Sequence, residues 1–235
     1  MTECPKCGAV GVDSATDCAA CGIVFEKFER RVRAVAESAP PPVAGRDLAD
    51  EATSGLVWWA SAGLLTGLTV WTWSFARLPM DPAVMDSFLH LPDLIFHEAG
   101  HVIFSPFGRF MSVLGGSLLQ FLVPVILAVS FVRQHQPFSA AVCAWWAGQN
   151  LVDLAPYIAD ARSLRLVLLG GNTGAEVEGH DWEYLLTQLG IVHHDRAIGL
   201  WAHYGGVLLM AASIGVGAWT LRRRRNRSPA LPSAS

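Results

Sequence analysis

Four apolar runs, each about the length that crosses a lipid bilayer, limit what this chain can fold into. They cover residues 55–75, 111–132, 139–158 and 198–221. At about 1.5 Å per helical residue, some 20 residues span the roughly 30 Å hydrocarbon core of a membrane. Composition agrees: 52% of the 235 residues are hydrophobic and only 16% are charged, against about 25% charged in soluble domains. Mean hydropathy is +0.36. Trp58, Trp59, Trp71, Trp73, Trp201 and Trp219 lie near the ends of runs, as interfacial aromatics do. The expected fold is an α-helical polytopic membrane protein of about four spans. A shorter apolar stretch at 88–108, broken by Pro92 and Pro106, is expected as a fifth span or as a helix that dips partway in.

The chain divides by composition into a cysteine-bearing head (1–28), a charged helix and Pro-rich linker (29–54), a membrane-embedded domain (55–221) and a basic tail (222–235). "SAPPPVAG" is expected as extended chain, because its prolines disfavour a helix. No secretory signal is visible, because the N-terminus is polar and cysteine-rich. A net charge of -3 gives no reason to expect nucleic acid. Its distribution says more: "RRRRNR" (222–227) follows the last apolar run directly and places the C-terminus in the cytoplasm.

Four of the five cysteines, Cys4, Cys7, Cys18 and Cys21, form two C-x-x-C pairs, "CPKC" and "CAAC", each followed by glycine. Each pair offers two thiolates from one tight knuckle, and two knuckles supply the four tetrahedral ligands of a structural zinc. Gly8 and Gly22 permit the turns. The stretch, with "CGIVFEKF", is similar to the small zinc-ribbon heads of many bacterial proteins. A closed structural site does no chemistry, so the head is expected to dock a cytoplasmic partner or to regulate. Reduced thiols also place it in the cytoplasm. With both termini inside, an even number of spans is required. The 88–108 helix then enters and leaves from the outer side, 133–138 is a cytoplasmic turn, and 161–197 is an outer loop, in which "LRLVLLGG" is a candidate for re-entry.

Within "LIFHEAGHVIF" (94–104), His97, Glu98 and His101 form H-E-x-x-H. On a helix the two histidines share one face and can bind one Zn²⁺, while Glu98 reaches its water as general base. Ionisable groups in membrane-level sequence are functional candidates, because leaving them unpaired costs several kcal/mol, about 3 for a single charge on insertion scales. Ala99 and Gly100 are small and are expected to leave space for substrate. A catalytic zinc needs a third protein ligand. "QNLVDLAPYIAD" (149–160) places Asn150, Asp153, Tyr157 and Asp160 on one stripe of a helix, and Asp153 is preferred among its aspartates. "EGHDWEYLL" (178–186) offers His180, with Asp181 as its orienting neighbour. Asp153 and His180 remain alternatives.

A multi-span chain with "FHEAGH" in an apolar helix resembles the site-2 protease family of intramembrane zinc metallopeptidases. The resemblance is carried by 97–101, and more loosely by "NLVDLAPYIAD" with Asn150, Pro156 and Asp160, where that family commonly has an Asn-x-x-Pro…Asp-Gly type motif; here no Asp-Gly follows. It implies a downstream aspartate as the third ligand and an endopeptidase acting on membrane-associated protein or peptide substrates. The expected cofactors are two Zn²⁺ ions, one structural and one catalytic, and the expected location is a membrane, with the bacterial inner membrane foremost. Two other classes compete: a non-catalytic membrane scaffold whose head docks a cytoplasmic partner, and a histidine-iron membrane oxidase using His97, His101, His193 and His194. His90 and His135 are expected at the interface, and His203 is a candidate for lining the site.

Overall fold

A computed structural model describes residues 3–10, 16–38 and 44–227. Among these residues the chain is helical apart from isolated β-bridges. Seven α-helices follow in order: α1 (Phe25–Ser38), α2 (Ala44–Ala76), α3 (His90–Phe104), α4 (Arg109–Arg133), α5 (Pro137–Ala159), α6 (Asp181–Gln188) and α7 (Asp195–Arg227). The chain forms two compact units, Met1–Leu56 and Val57–Ser235. The core of the expected Pro-rich linker, 39–43, and the end of the basic tail, 228–235, lie outside the described residues; residues 44–54, expected as the rest of the linker, are helical and open α2. The arginines at 222–225 continue α7.

In the first unit the two cysteine knuckles repeat one construction. Cys4 N–H donates to Ala9 and Gly8 N–H to Cys4, each at 2.9 Å. Cys18 N–H donates to Ile23 at 2.9 Å and Gly22 N–H to Cys18 at 2.7 Å. Gly8 (φ 75°) and Gly22 (φ 68°) take the left-handed conformation that closes each turn. Short bridges, Glu3 with Val10 and Asp17 with Val24, flank the knuckles.

All four long apolar runs of the second unit are helical, lying in α2, α4, α5 and α7. Two helices, α4 and the Val192–Asn226 stretch that contains most of α7, are long and apolar enough to cross a membrane. Pro124 does not break α4. In α5 the apolar character is diluted by Gln149, Asn150 and Asp153, all buried against neighbouring helices. Leu68 and Phe75 of α2, Val84, Trp145 and Val152 of α5, and Met210 of α7 form the apolar core. The indole N–H of Trp145 donates to Thr72 Oγ1 at 2.8 Å within it.

Small residues set the helix crossings. A Cβ added at Gly148 would lie 2.7 Å from the Gly206 carbonyl, and one at Gly206 would lie 2.5 Å from the Gly148 carbonyl. The α5 and α7 backbones therefore touch. The same holds for α3 and α4. After α3 ends at Ser105-Pro106, Gly108 (φ 92°) reverses the chain, and α4 returns along α3. A Cβ on Gly100 would lie 2.1 Å from the Gly115 carbonyl oxygen. Gly100 is thus small because a neighbouring helix backbone occupies the space, which corrects the expectation that it makes room for substrate.

Gly100→Ala should lower the thermal midpoint of the detergent-solubilised chain, since over-packing typically costs about 1–3 kcal/mol. Gly67→Ala, whose Cβ meets nothing within 4 Å, should leave the midpoint unchanged. Equal midpoints for the two variants would contradict the close α3–α4 crossing.

Candidate metal centres

α3 carries His97 and His101 one turn apart, with both rings turned toward α4. Each ring is oriented through Nδ1. His101 Nδ1 lies 2.9 Å from the Ser112 carbonyl. A carbonyl only accepts, so Nδ1 holds the proton and Nε2 is left as a lone pair. His97 Nδ1 lies 3.0 Å from Gln120 Oε1. The Gln120 amide is fixed in turn by its Nε2, which donates to Asp153 Oδ2 at 3.3 Å. His97 therefore also presents Nε2 as an acceptor.

Both Nε2 atoms face a carboxylate. Asp181 Oδ2 lies 2.9 Å from His97 Nε2 and 3.2 Å from His101 Nε2. Three acceptors converging at these distances pair once a positive charge lies among them, either a proton on His101, whose pKa the Asp181 carboxylate raises to about 9, or a metal cation. Two imidazolium rings would leave one charge unbalanced by a single carboxylate in a mostly buried site. One divalent cation satisfies all three, and two ligands of a tetrahedral zinc at 2.0–2.1 Å lie about 3.3 Å apart. The ligand atoms of His97, Glu98 and His101 also lie within 4.8 Å of one another, so the His97–Glu98–His101 group has the geometry to hold a metal ion. Gly116 keeps the ligand ends clear: a Cβ there would lie 2.7 Å from His97 Nε2 and 2.8 Å from His101 Nε2.

Asp181 arrives at the first turn of α6. His180 caps that helix, its Nδ1 accepting the Glu183 N–H at 3.1 Å. The backbone N–H of Asp181 donates to the Tyr157 hydroxyl at 2.9 Å. The Trp182 indole donates to Ser117 Oγ of α4 at 3.2 Å, and the Arg109 guanidinium sits 4.7 Å from the centre of the Tyr184 ring. These contacts seat α6 on α4, beside the histidines. Burial pushes the Asp181 carboxyl upward, but the contacts with His101 and His97 outweigh this and hold it below the usual carboxylate range. It is therefore ionised and faces both rings.

Neither of the third-ligand candidates read from the sequence occupies this position. Both Asp153 oxygens lie 3.0 Å from His90 Nδ1, and one also accepts from Gln120. Asp153 thus supports His97 at one remove. His180 turns its Nδ1 to the helix cap and its Nε2 toward Asp160, 3.5 Å away. Burial pushes the His180 imidazole below its usual value and keeps it neutral, as its capping role requires. Asp160 anchors the loop after α5, accepting from the Arg165 N–H at 3.0 Å and the Leu166 N–H at 2.9 Å. The third acidic group is the residue beside His180, which the sequence reading had given only an orienting role. His90, expected at the interface, is instead the partner of Asp153. His203 is fully buried in α7 and does not line the cavity.

The metal-facing edge opens into a cavity of about 620 Å³, within the usual size range of ligand sites. Glu98 is exposed to it. Its walls are largely apolar, with Met85, Leu94, Leu154, Leu166, Leu168 and Val177 among them. One wall is the stretch expected as a re-entrant segment. It is a hairpin instead: Val167 bridges Thr173, Leu168 N–H donates to Asn172 at 2.7 Å, and Gly170 and Gly171 turn it with positive φ.

In the head, Cys4 Sγ lies 3.8 Å from Cys21 Sγ, and Cys7 Sγ lies 3.8 Å from Cys18 Sγ. No disulfide joins these cysteines. Thiolates 2.3 Å from a tetrahedral zinc are about 3.8 Å apart, so the four sulfurs have the spacing of a metal site. No protein-family model matches the chain, and neither curated proteins nor solved structures give a significant match to it.

Changing Asp181 to Ala should abolish tight zinc binding at the histidine site in a competitive chelator titration. Asp153→Ala should weaken it by about 10–100-fold, as losses of supporting groups do, and His180→Ala should weaken it less than Asp181→Ala. If Asp153→Ala costs more than Asp181→Ala, the ligand set is wrong. Replacing all four head cysteines by serine should remove one zinc equivalent from the full chain by elemental analysis, and an unchanged content would exclude a zinc there.

Proposed function

We propose that this chain is a membrane-embedded zinc endopeptidase, related in mechanism to the site-2 protease family it resembles. The observation that carries the reading is the meeting of His97, His101 and Asp181 acceptor atoms beside Glu98, at the mouth of an apolar cavity. The family resemblance implies a downstream aspartate as third ligand, and Asp181 takes that role here in place of Asp160.

His97, His101 and Asp181 would hold a zinc ion, which would supply a Lewis acid and lower the pKa of its water toward neutrality. Glu98 accepts the proton of the attacking water and returns it to the amide nitrogen as the C–N bond breaks. His97 and His101 keep their orientation through Gln120 and the Ser112 carbonyl. The apolar walls exclude competing water and favour a peptide segment with apolar flanking side chains.

Membrane embedding draws support from the outward faces of the helices. Ile95 and Val102 of α3 are 68% and 73% exposed, and Trp201 and Leu208 of α7 are 80% and 71% exposed. Such surface is costly in water and natural against lipid. In this reading α2, α4, α5 and α7 are four spans. α3, 15 residues long and so about 22 Å, dips from the outer side without crossing. Both termini lie in the cytoplasm of a bacterial inner membrane, and the head is a zinc ribbon that docks a cytoplasmic partner. The histidine-iron oxidase draws no such support, because His193 and His194 stack on each other with centroids 4.0 Å apart and do not line the cavity.

Glu98→Gln tests the hydrolytic role. An amide cannot take the proton, so proteolysis of β-casein by the detergent-solubilised chain should fall about 10²–10⁴-fold, with zinc content unchanged. Full proteolysis by this variant would defeat the peptidase reading.

A further inference from the structure

Hydrolysis of a peptide bond builds negative charge on the former carbonyl oxygen, and a hydrogen-bond donor aimed at that oxygen speeds the reaction. The cavity wall offers few side chains able to donate. Its carboxylates, Glu98, Glu178, Asp153 and Asp181, only accept when ionised. His97 and His101 are committed as ligands, each with Nδ1 already donating. Gln120 donates to Asp153. His90 and Tyr157 remain. His90 stands seven residues before His97 on α3, roughly 10 Å along the helix axis, too far to share a reacting atom.

Tyr157 is placed differently. It stands on the inward face of α5, with its ring edge-on to His97 at a centroid separation of 6.2 Å. Its hydroxyl oxygen accepts the Asp181 backbone N–H at 2.9 Å, which holds the oxygen beside the third ligand. That bond uses a lone pair, and among the described residues the hydroxyl proton has no protein acceptor. The group is therefore a donor pinned through its acceptor side, open toward the cavity.

We infer that Tyr157 is a catalytic residue whose hydroxyl donates a hydrogen bond to the oxyanion formed when water adds to the scissile carbonyl. The inference rests on the peptidase reading and names the group that completes its site. The phenol keeps its proton throughout: the bond to oxygen strengthens as the carbonyl becomes tetrahedral and relaxes when the C–N bond breaks. Glu98 alone carries the proton from water to the leaving amine. Asp181 thus has two coupled duties, its carboxylate directed to the metal and its N–H fixing the oxyanion donor.

The test uses the full-length chain in detergent with two probes. One is β-casein; the other is a Leu-Leu phosphinic peptide, whose tetrahedral anionic phosphorus mimics the oxyanion. Tyr157→Phe keeps the ring and removes only the hydroxyl. With zinc held at saturating concentration, zinc content and KM for casein should hold, while kcat and phosphinate affinity should each fall about 10²–10³-fold, as for loss of one oxyanion donor. A fluorinated tyrosine at 157 keeps the acceptor for Asp181 but is a more acidic phenol. At neutral pH it should bind the phosphinate at least as tightly as the unmodified chain, because a more acidic phenol is a stronger hydrogen-bond donor. Unchanged phosphinate affinity in Tyr157→Phe overturns the role of Tyr157 and leaves the peptidase reading standing. So does a loss that merely follows loss of zinc. An unmodified, zinc-loaded chain that neither cleaves casein nor binds the phosphinate overturns both.

Discussion

Three hydrogen-bond acceptors pointed at one place need a proton or a metal cation among them. His97 Nε2, His101 Nε2 and Asp181 Oδ2 are in that position, because the Ser112 carbonyl and the Gln120 amide oxygen take the Nδ1 protons. The Ser112 carbonyl can only accept, and the Gln120 amide turns its oxygen to His97 because its nitrogen donates to Asp153. Much of the second unit is arranged to meet this requirement. Gly100 and Gly115 let α3 and α4 touch, and Gly116 leaves the space where the two ring ends meet. The α5 stripe then supports the site from the far side: Asp153 steadies Gln120, Tyr157 steadies the Asp181 backbone, and Asp160 ties down the loop that leads to α6.

Polar groups within an apolar helical body are tolerated only when paired, and here the pairing doubles as preorganisation. The chain of bonds from His97 through Gln120 and Asp153 to His90 leaves His97 little freedom to rotate. The head is built on the same principle at smaller scale, with glycine-closed knuckles setting four sulfurs at metal-ligand spacing.

Much of this was legible before any coordinates. Uninterrupted apolar runs announced helices, C-x-x-C pairs announced a metal-ready head, and i, i+4 histidines announced a shared ligand face. The inward stripe at 150, 153, 157 and 160 was also readable from helical spacing. What that stripe touches was not, because periodicity gives a face and not a partner. His180 and Asp181 differ by one position at a helix start, where one residue caps and the next belongs to the first turn. Histidine is an uncommon cap, so nothing in the sequence showed that His180 turns to the helix start while Asp181 faces the two rings. A Ser, Thr, Asp or Asn in place of His180 would have signalled the cap. The role of Gly100 was equally hidden, since a small residue beside a metal motif looks the same whether it faces substrate or a neighbouring backbone.

The most direct test is a crystal or cryo-cooled structure of the zinc-loaded chain, with anomalous scattering measured at the zinc edge. The proposed ligand set requires a peak about 2.0–2.2 Å from His97 Nε2, His101 Nε2 and one Asp181 oxygen, with Glu98 beside it and not bound. A peak completed by Asp153 or His180, or no peak at His97 and His101 in protein whose head is fully loaded, would contradict it.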